Sequence, residues 1–193
     1  MTGQIPDEVR YRGERYAITA VEGMGLFDPA DHGVTPGPLG TGCWRGFQCR
    51  YRIRQGRLLL YDVHIGRPED GDTPRPLFGV RAVHAGRYFL FSDGLVYRFL
   101  KAPVPFSGRL LLCAGYMHVG YLHMGFNPAW LYSRVHEISF EAGRVTSRHD
   151  RSAALAAARD RLGQDGLRPA PGEPGRDWID RTFSLSFDYS WPS

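Results

Sequence analysis

From Phe47 to Ile53 every second residue is apolar or a thiol (Phe47, Cys49, Tyr51, Ile53), and Gln48, Arg50, Arg52 and Arg54 fall at the alternate positions. Successive side chains of a strand point to opposite faces, so the run predicts a strand with one core face and one cationic, wet face. A slip of one residue would bury the arginines at a heavy desolvation cost. Phe47, Cys49, Tyr51 and Ile53 are therefore expected inside, and Arg50, Arg52 and Arg54 exposed. Gln55-Gly56 then offers a tight reversal into a second apolar strand, because glycine accepts the positive φ that hairpin turns demand.

The same grammar recurs along the chain. Val9-Arg10-Tyr11, Arg12-Gly13 and Tyr16-Ala17-Ile18 predict an opening hairpin, and residues 47–65 a second one. Residues 87–100 predict a third, turning at Ser92-Asp93-Gly94, and residues 135–145 a fourth, turning at Glu141-Ala142-Gly143. Residues 110–113 suggest a short buried strand, and Pro103 and Pro105 an edge or bend. Residues 23–42 form a Gly/Pro-rich loop anchored by Leu26-Phe27, and residues 66–76 a polar, mobile loop. Residues 152–162 are alanine-rich, with Asp150 or Ser152 as cap and Gly163 as stop, and predict a single surface helix. Residues 163–177 are a Pro/Gly linker. Phe183, Leu185, Phe187 and Tyr189 alternate as a final strand would.

These patterns predict a mainly β (β-rich α+β) single domain over residues 1–193. It would have about 8–10 mostly antiparallel strands, arranged as a sandwich or incomplete barrel, with one helix against it. The 193 residues, 42% hydrophobic and 13% aromatic, suit one globular core, and 24 Gly with 14 Pro suit many turns. There is also an internal echo. Phe27-Asp28-Pro29-Ala30 matches Phe126-Asn127-Pro128-Ala129, and Trp44 with Gly56-Arg57 matches Trp130 with Gly143-Arg144. Duplicated hairpin modules, about 9–65 and 95–148, would give pseudo-twofold halves around a shared core. Chance reuse of hairpin grammar accounts for the echo as well.

Gly120-Tyr121-Leu122-His123-Met124-Gly125-Phe126-Asn127-Pro128-Ala129-Trp130, with Cys43-Trp44-Arg45-Gly46-Phe47 upstream, resembles motifs of a family of uncharacterised bacterial proteins. Ile5-Pro6-Asp7, the Tyr-x-Gly-x-x-Tyr pattern from Tyr11 to Tyr16 and Pro105-Phe106-Ser107-Gly108 resemble that family's motifs too. The resemblance implies no activity.

The net charge is +4, yet Lys101 is the sole lysine, and the arginines are interleaved with acids rather than gathered in one run. Nucleic acid is therefore not the expected partner. No apolar run reaches the roughly 20 residues of a membrane span, and the N-terminus lacks a basic start and apolar stretch, so a cytoplasmic location is expected. Cys43, Cys49 and Cys113 lack metal-knuckle spacing, and no metal or cofactor is expected.

The candidate ligand- or partner-binding residues are Cys43, Trp44, Arg45, His118, His123, Asn127, Trp130 and Tyr132. They combine polar, aromatic and glycine-flanked positions in a density that strand packing does not require. Cys43 beside Arg45 is a candidate activated thiolate, since a guanidinium lowers a thiol pKa, and His118 or His123 is its candidate base. A reduced, partly buried cysteine is the simpler expectation. Asp62 and His64 share a strand face and suit either general-base work or, more simply, an exposed polar pair at a strand end. His136 beside Glu137 is a weaker pairing, since strand neighbours point apart. No Walker loop, dinucleotide fingerprint, nucleophile elbow or zinc-protease helix occurs. Two functions follow. One is a bacterial binding protein of the immunity or accessory kind, acting by protein–protein contact. The other is a small-molecule carrier or cofactor-free biosynthetic enzyme with a site inside the β-structure. A filled interior favours the first, and a cavity with convergent polar groups the second.

Overall fold

The computed structural model describes residues 3–68, 74–86, 94–118, 124–162 and 167–191. Among these, ten strands share one sheet: β1 (Glu8–Tyr11), β2 (Glu14–Met24), β3 (Phe47–Arg54), β4 (Arg57–Ile65), β5 (Val83–His84), β6 (Leu95–Tyr97), β7 (Ala102–Pro103), β8 (Ser107–Tyr116), β9 (Tyr132–Glu141) and β10 (Arg144–Asp150). The order β10-β9-β8-β2-β1-β3-β4 closes on itself through a β10–β4 pairing, while β6, β5 and β7 extend from β4. The β1–β3 seam is parallel and the other seams are antiparallel. The fold is thus a mainly β single domain, closed at one narrow point.

Type I′ hairpins make the closure possible. Both residues of Arg12-Gly13, Gln55-Gly56 and Ala142-Gly143 have positive φ, the geometry whose twist matches paired strands. The last two turns meet each other: Leu58 N–H donates to Gly143 O (2.9 Å) and Val145 N–H to Gly56 O (2.8 Å). The two echoing hairpins therefore join about a local twofold. The symmetry stops there, because β1 runs parallel beside β3 whereas β8 runs antiparallel beside β9.

The interior is occupied by side chains. Tyr51, Tyr97, Phe106, Leu58, Leu60 and Leu110 are each fully buried in one cluster. Phe47, Cys49 and Tyr51 point into it as their alternation requires, and Ile53 packs against it half-buried. Three expectations about β3 and β4 need correction. Arg50 is half-buried, its Nε donating to Glu8 Oε2 at 2.9 Å. Arg52 is half-buried too, with its guanidinium 3.6 Å from the centre of the Tyr61 ring. Of the three arginines only Arg54 is exposed. A bulge at Tyr61, which shifts the register between Arg50/Asp62 and Tyr51/Leu60, turns that ring outward beneath Arg52. Asp62 and His64 are not an exposed pair but are fully buried, the first accepting from Phe99 N at 3.0 Å and the second lying against Gly94, on the segment that pairs beside β4.

The strand expected at 110–113 is longer (β8) and buried on both faces, Leu110 and Leu112 toward the barrel and Leu111 and Cys113 toward an outer layer. That layer contains helix α1 (Ser152–Leu162), which buries Leu155 and Ala158, and whose Ser152 N–H donates to Asp150 Oδ1 at 2.9 Å. The hairpin expected over 87–100 returns through β6, but its partner is β5, which lies before that segment. Residues 87–93 and parts of the 66–76 and 163–177 segments lie outside the described residues.

The final strand is the largest correction. Residues 175–190 form two helices, α2 (Gly175–Phe183) and α3 (Phe187–Ser190), giving three α-helices among the described residues where one was expected. The alternation of Phe183, Leu185, Phe187 and Tyr189 is broken by Ser186, whose Oγ accepts from Tyr189 N at 3.3 Å and starts α3. The segment packs on the outer face of β2, β8 and β9 rather than against a sheet edge.

Gly143→Ala and Gly13→Ala separate close packing at a hairpin tip from turn strain. Both glycines have positive φ, but an added Cβ meets nothing at position 13 and would lie 2.2 Å from Val104 O at position 143. We expect about 1 kcal/mol lost at position 13 and about 3 kcal/mol at position 143 in urea unfolding. Equal losses would mean that the Val104 carbonyl does not press on the Gly143 turn.

Candidate functional site

The segment before β1 is tied to the segment before β3. Gln4 Nε2 donates to Thr41 O (3.0 Å), and Gln4 Oε1 accepts from Trp44 N (3.1 Å). Ile5 N donates to Gly42 O (2.8 Å) and Gln48 Nε2 to Pro6 O (2.9 Å). Beside this clamp a cleft of about 340 Å³ opens, bounded by Gln4, Cys43, Trp44, Phe126, Phe183 and Leu185. Trp44 stands 63% exposed at its rim, with its ring 5.4 Å from that of Phe183. Phe126 comes from the loop before β9, and Phe183 and Leu185 from the end of α2 and the turn after it.

Arg45 forms the polar corner of the cleft. It pairs with the buried carboxylate of Asp7, and its Nε donates to Phe47 O at 2.8 Å. Burial works against the charge of this guanidinium, but the Asp7 carboxylate outweighs it and holds the group more firmly protonated than usual. The same Asp7 oxygen accepts from Cys49 N at 2.6 Å. Arg45 is thus committed to the frame of the barrel.

Cys43 is 2% exposed and its Sγ donates to Phe47 O at 3.1 Å. Burial pushes its thiol pKa up, and Arg45, which pulls it down, does not prevail. The activated thiolate is therefore corrected to a protonated, structural cysteine. Cys49 is raised well above the ordinary range by burial, with Asp7 adding to the effect, and Cys113 is pushed up to about 12 by burial. Cys113 Sγ shares a hydrogen bond with Thr19 Oγ1 at 3.1 Å.

The fold does not gather all the candidate residues. Cys43, Trp44 and Arg45 share the cleft with Phe126. Trp130 and Tyr132 are buried in the outer layer instead, among Leu111, Leu131 and Leu155. Burial pushes the Tyr132 phenol above its usual range. Trp130 also borders a second cleft of about 630 Å³, together with Arg161, Arg168, Arg181 and Tyr189. Asn127 is half-buried, and His118 is exposed at the end of β8 with its ring edge-on to Tyr116. His123 and Gly120 lie outside the described residues. Gly46 and Gly125, which flank the candidate residues, are closely approached by the chain itself: a Cβ would fall 2.5 Å from Gly37 O and 2.3 Å from Thr182 O, respectively. His136 and Glu137 point apart as neighbours on a strand do, His136 against the Tyr11 and Tyr16 rings and Glu137 toward Arg151 (3.0 Å).

The sequence did not single out Gln4, Ile5, Phe183 or Leu185 as cleft residues. Ile5 carried a signal, since it stands in the Ile-Pro-Asp motif, but nothing local tied that motif to Trp44. Among the described residues no three His, Cys, Asp or Glu side chains converge as metal ligands would. No described helix is long and apolar enough to cross a membrane.

At pH 8 all three thiols are expected to resist iodoacetamide in the folded protein and to react once it is unfolded, as mass spectrometry would show. Rapid native labelling of Cys43 would contradict its assignment as structural. Arg45→Ala leaves Asp7 buried without its cation and is expected to lower stability by about 3 kcal/mol, whereas Trp44→Ala at an exposed rim is expected to cost less than about 1 kcal/mol.

No family model matches this chain, and no curated protein or solved structure is significantly similar to it.

Proposed function

We propose that this chain is a contact protein that acts by binding another protein, as an immunity or accessory protein does, rather than by turning over a substrate. One observation carries the reading: the barrel is filled by Tyr51, Tyr97, Phe106 and their neighbours, which occupy the space a carrier or barrel enzyme would give to its ligand. The outside supports it. Trp44 is the most exposed tryptophan of the described residues, and it stands on a rigid, clamped segment beside a shallow apolar cleft. Tryptophan presents a large amphipathic area at low entropy cost and is enriched at the energetic centres of interfaces. The neighbouring Phe183 and Phe126 extend the apolar surface, and the Arg45–Asp7 pair holds its base in place.

Small-molecule binding is favoured by a different observation. The cleft volume of about 340 Å³ falls within the range of small-ligand pockets, and Gln4 supplies a polar group at its wall. The two readings separate in one experiment. A photo-crosslinking amino acid is placed at Trp44, or at exposed Arg176 as a control, in the organism that makes the protein. A discrete protein adduct from position 44 alone is expected, while native mass spectrometry of the purified chain gives its own mass. A co-purifying adduct of small-molecule mass that Trp44→Ala removes would replace the contact reading with the small-molecule one.

A further inference from the structure

Strand register brings arginines face to face across the outside of the barrel. Arg15 on β2 stands opposite Arg10 on β1, and Arg10 stands opposite Arg52 on β3. At the hairpin tips Arg54 on β3 is opposite Arg57 on β4, and Arg57 is opposite Arg144 on β10. Directly opposed residues share a face and lie close together, so like charges in these positions oppose pairing. Among the described residues Arg10, Arg52, Arg54, Arg57 and Arg144 enter no ion pair. All but Arg52 are exposed. A barrel selected for stability alone would place acids throughout such a row, as it does two residues away, where Glu8 stands opposite Arg50, and at the far end, where Glu141 stands opposite Arg144.

At the middle of the row is a depression of about 50 Å³, walled by Arg10, Arg15, Arg50 and Arg52 with Tyr61 beneath. Glu8 and Asp62 also border it. Glu8 accepts from Arg50 and lies 3.6 Å from Arg15, and Asp62 Oδ1 accepts from Phe99 N at 3.0 Å. Among the described residues that border it, four guanidiniums thus face two carboxylates, an excess of two positive charges around a space that admits one small anionic group. Arg52 is held over Tyr61, which fixes its fork before any partner arrives.

We propose that the outer face of β2, β1, β3 and β4 docks an acidic segment of a partner protein, seating one of its carboxylates among Arg10, Arg15, Arg50 and Arg52 and running its other acids toward Arg54, Arg57 and Arg144. Charge complementarity selects this occupant. A nucleic-acid strand fits less well. Glu8 and Glu141 break the row at intervals, which a peptide matches with uncharged residues but a strand with a phosphate at every nucleotide does not, and the Tyr61 ring is already covered by Arg52 and unavailable to stack a base. The inference rests on the contact-protein reading but uses a different surface, since β3 leads away from Trp44 by roughly 20 Å between Phe47 and Arg54. Each can therefore fail alone.

The test measures fluorescence anisotropy of a labelled oligoglutamate peptide, with an oligothymidylate of equal charge as competitor, at about 50 mM and about 500 mM salt. The native protein is expected to bind the peptide at low salt. Arg10→Gln/Arg52→Gln is expected to weaken binding more than about tenfold, and Arg168→Gln/Arg176→Gln, which removes equal charge elsewhere, to leave it within about twofold. The first double variant should also melt no lower than the native protein at low salt, because it removes an opposed pair of like charges; this guards against loss of binding through misfolding. Absence of peptide binding by the native protein, equal weakening by both double variants, or tighter binding of the oligothymidylate would overturn the proposal. A contact at Trp44 would survive any of these results.

Discussion

The buried carboxylate of Asp7 holds the parallel seam on which the barrel depends. Parallel strands cannot be joined by a tight turn, so β1 and β3 must find each other across more than thirty intervening residues. Asp7 settles their start by accepting from the Cys49 backbone and from Arg45, and Arg45 passes the constraint on to the Phe47 carbonyl. Gln4 and Gln48 add side-chain bonds to backbone carbonyls on either side. Asp7, Gln4 and Gln48 are shielded from water, so each bond lost would leave a partner unsatisfied, and the seam has one favourable register.

With that seam in place the sheet curls until two hairpin tips meet. The contact is small, yet it joins the two ends of a seven-strand path and brings Arg57 against Arg144. Closing there is favourable because the interior it seals is continuous, running from Val9 and Ile18 through Tyr51 and Leu60 to Leu110 and Phe140. The hydrophobic gain is spread over the whole cluster, whereas the electrostatic opposition is local and exposed to screening water. The fold therefore tolerates an arginine row that its own stability does not require.

The outside of the barrel is divided between covering and presenting. The faces of β8 and β9 are covered by α1, α3 and the Trp130 turn, while the faces of β1 and β3 remain open and charged. Trp44 and Trp130 occupy matching places in the internal echo and yet have opposite fates, the first 63% exposed and the second 2%. The difference lies in what packs above them. Trp130 lies beneath α1, whereas the Trp44 ring has the tilted ring of Phe183 beside it and no helix above it among the described residues.

Most of the barrel was legible in the sequence, because the information was local. Alternation in Phe47–Arg54 and the paired positive-φ residues at Arg12-Gly13, Gln55-Gly56 and Ala142-Gly143 specify strands and turns through contacts only a few residues apart. The same local information misled where period two and a helical pattern overlap: Phe183, Leu185, Phe187 and Tyr189 alternate, yet the free face of β2, β8 and β9 and the Ser186 cap draw them into helices. Burial of Asp62 and His64 depended on which segment came to pair beside β4, and the bulge that turns Tyr61 under Arg52 depended on pairing with β3. Of the candidate site, the sequence located Cys43, Trp44 and Arg45, but the thiol's protonation, the commitment of Arg45 to Asp7 and the pairing of Trp44 with Phe183 arise from residues dozens of positions away. Periodicity and turn chemistry act along the chain and were determined by the sequence alone. Which polar groups are buried together, and which arginines are left facing one another, was decided only when distant strands came into register.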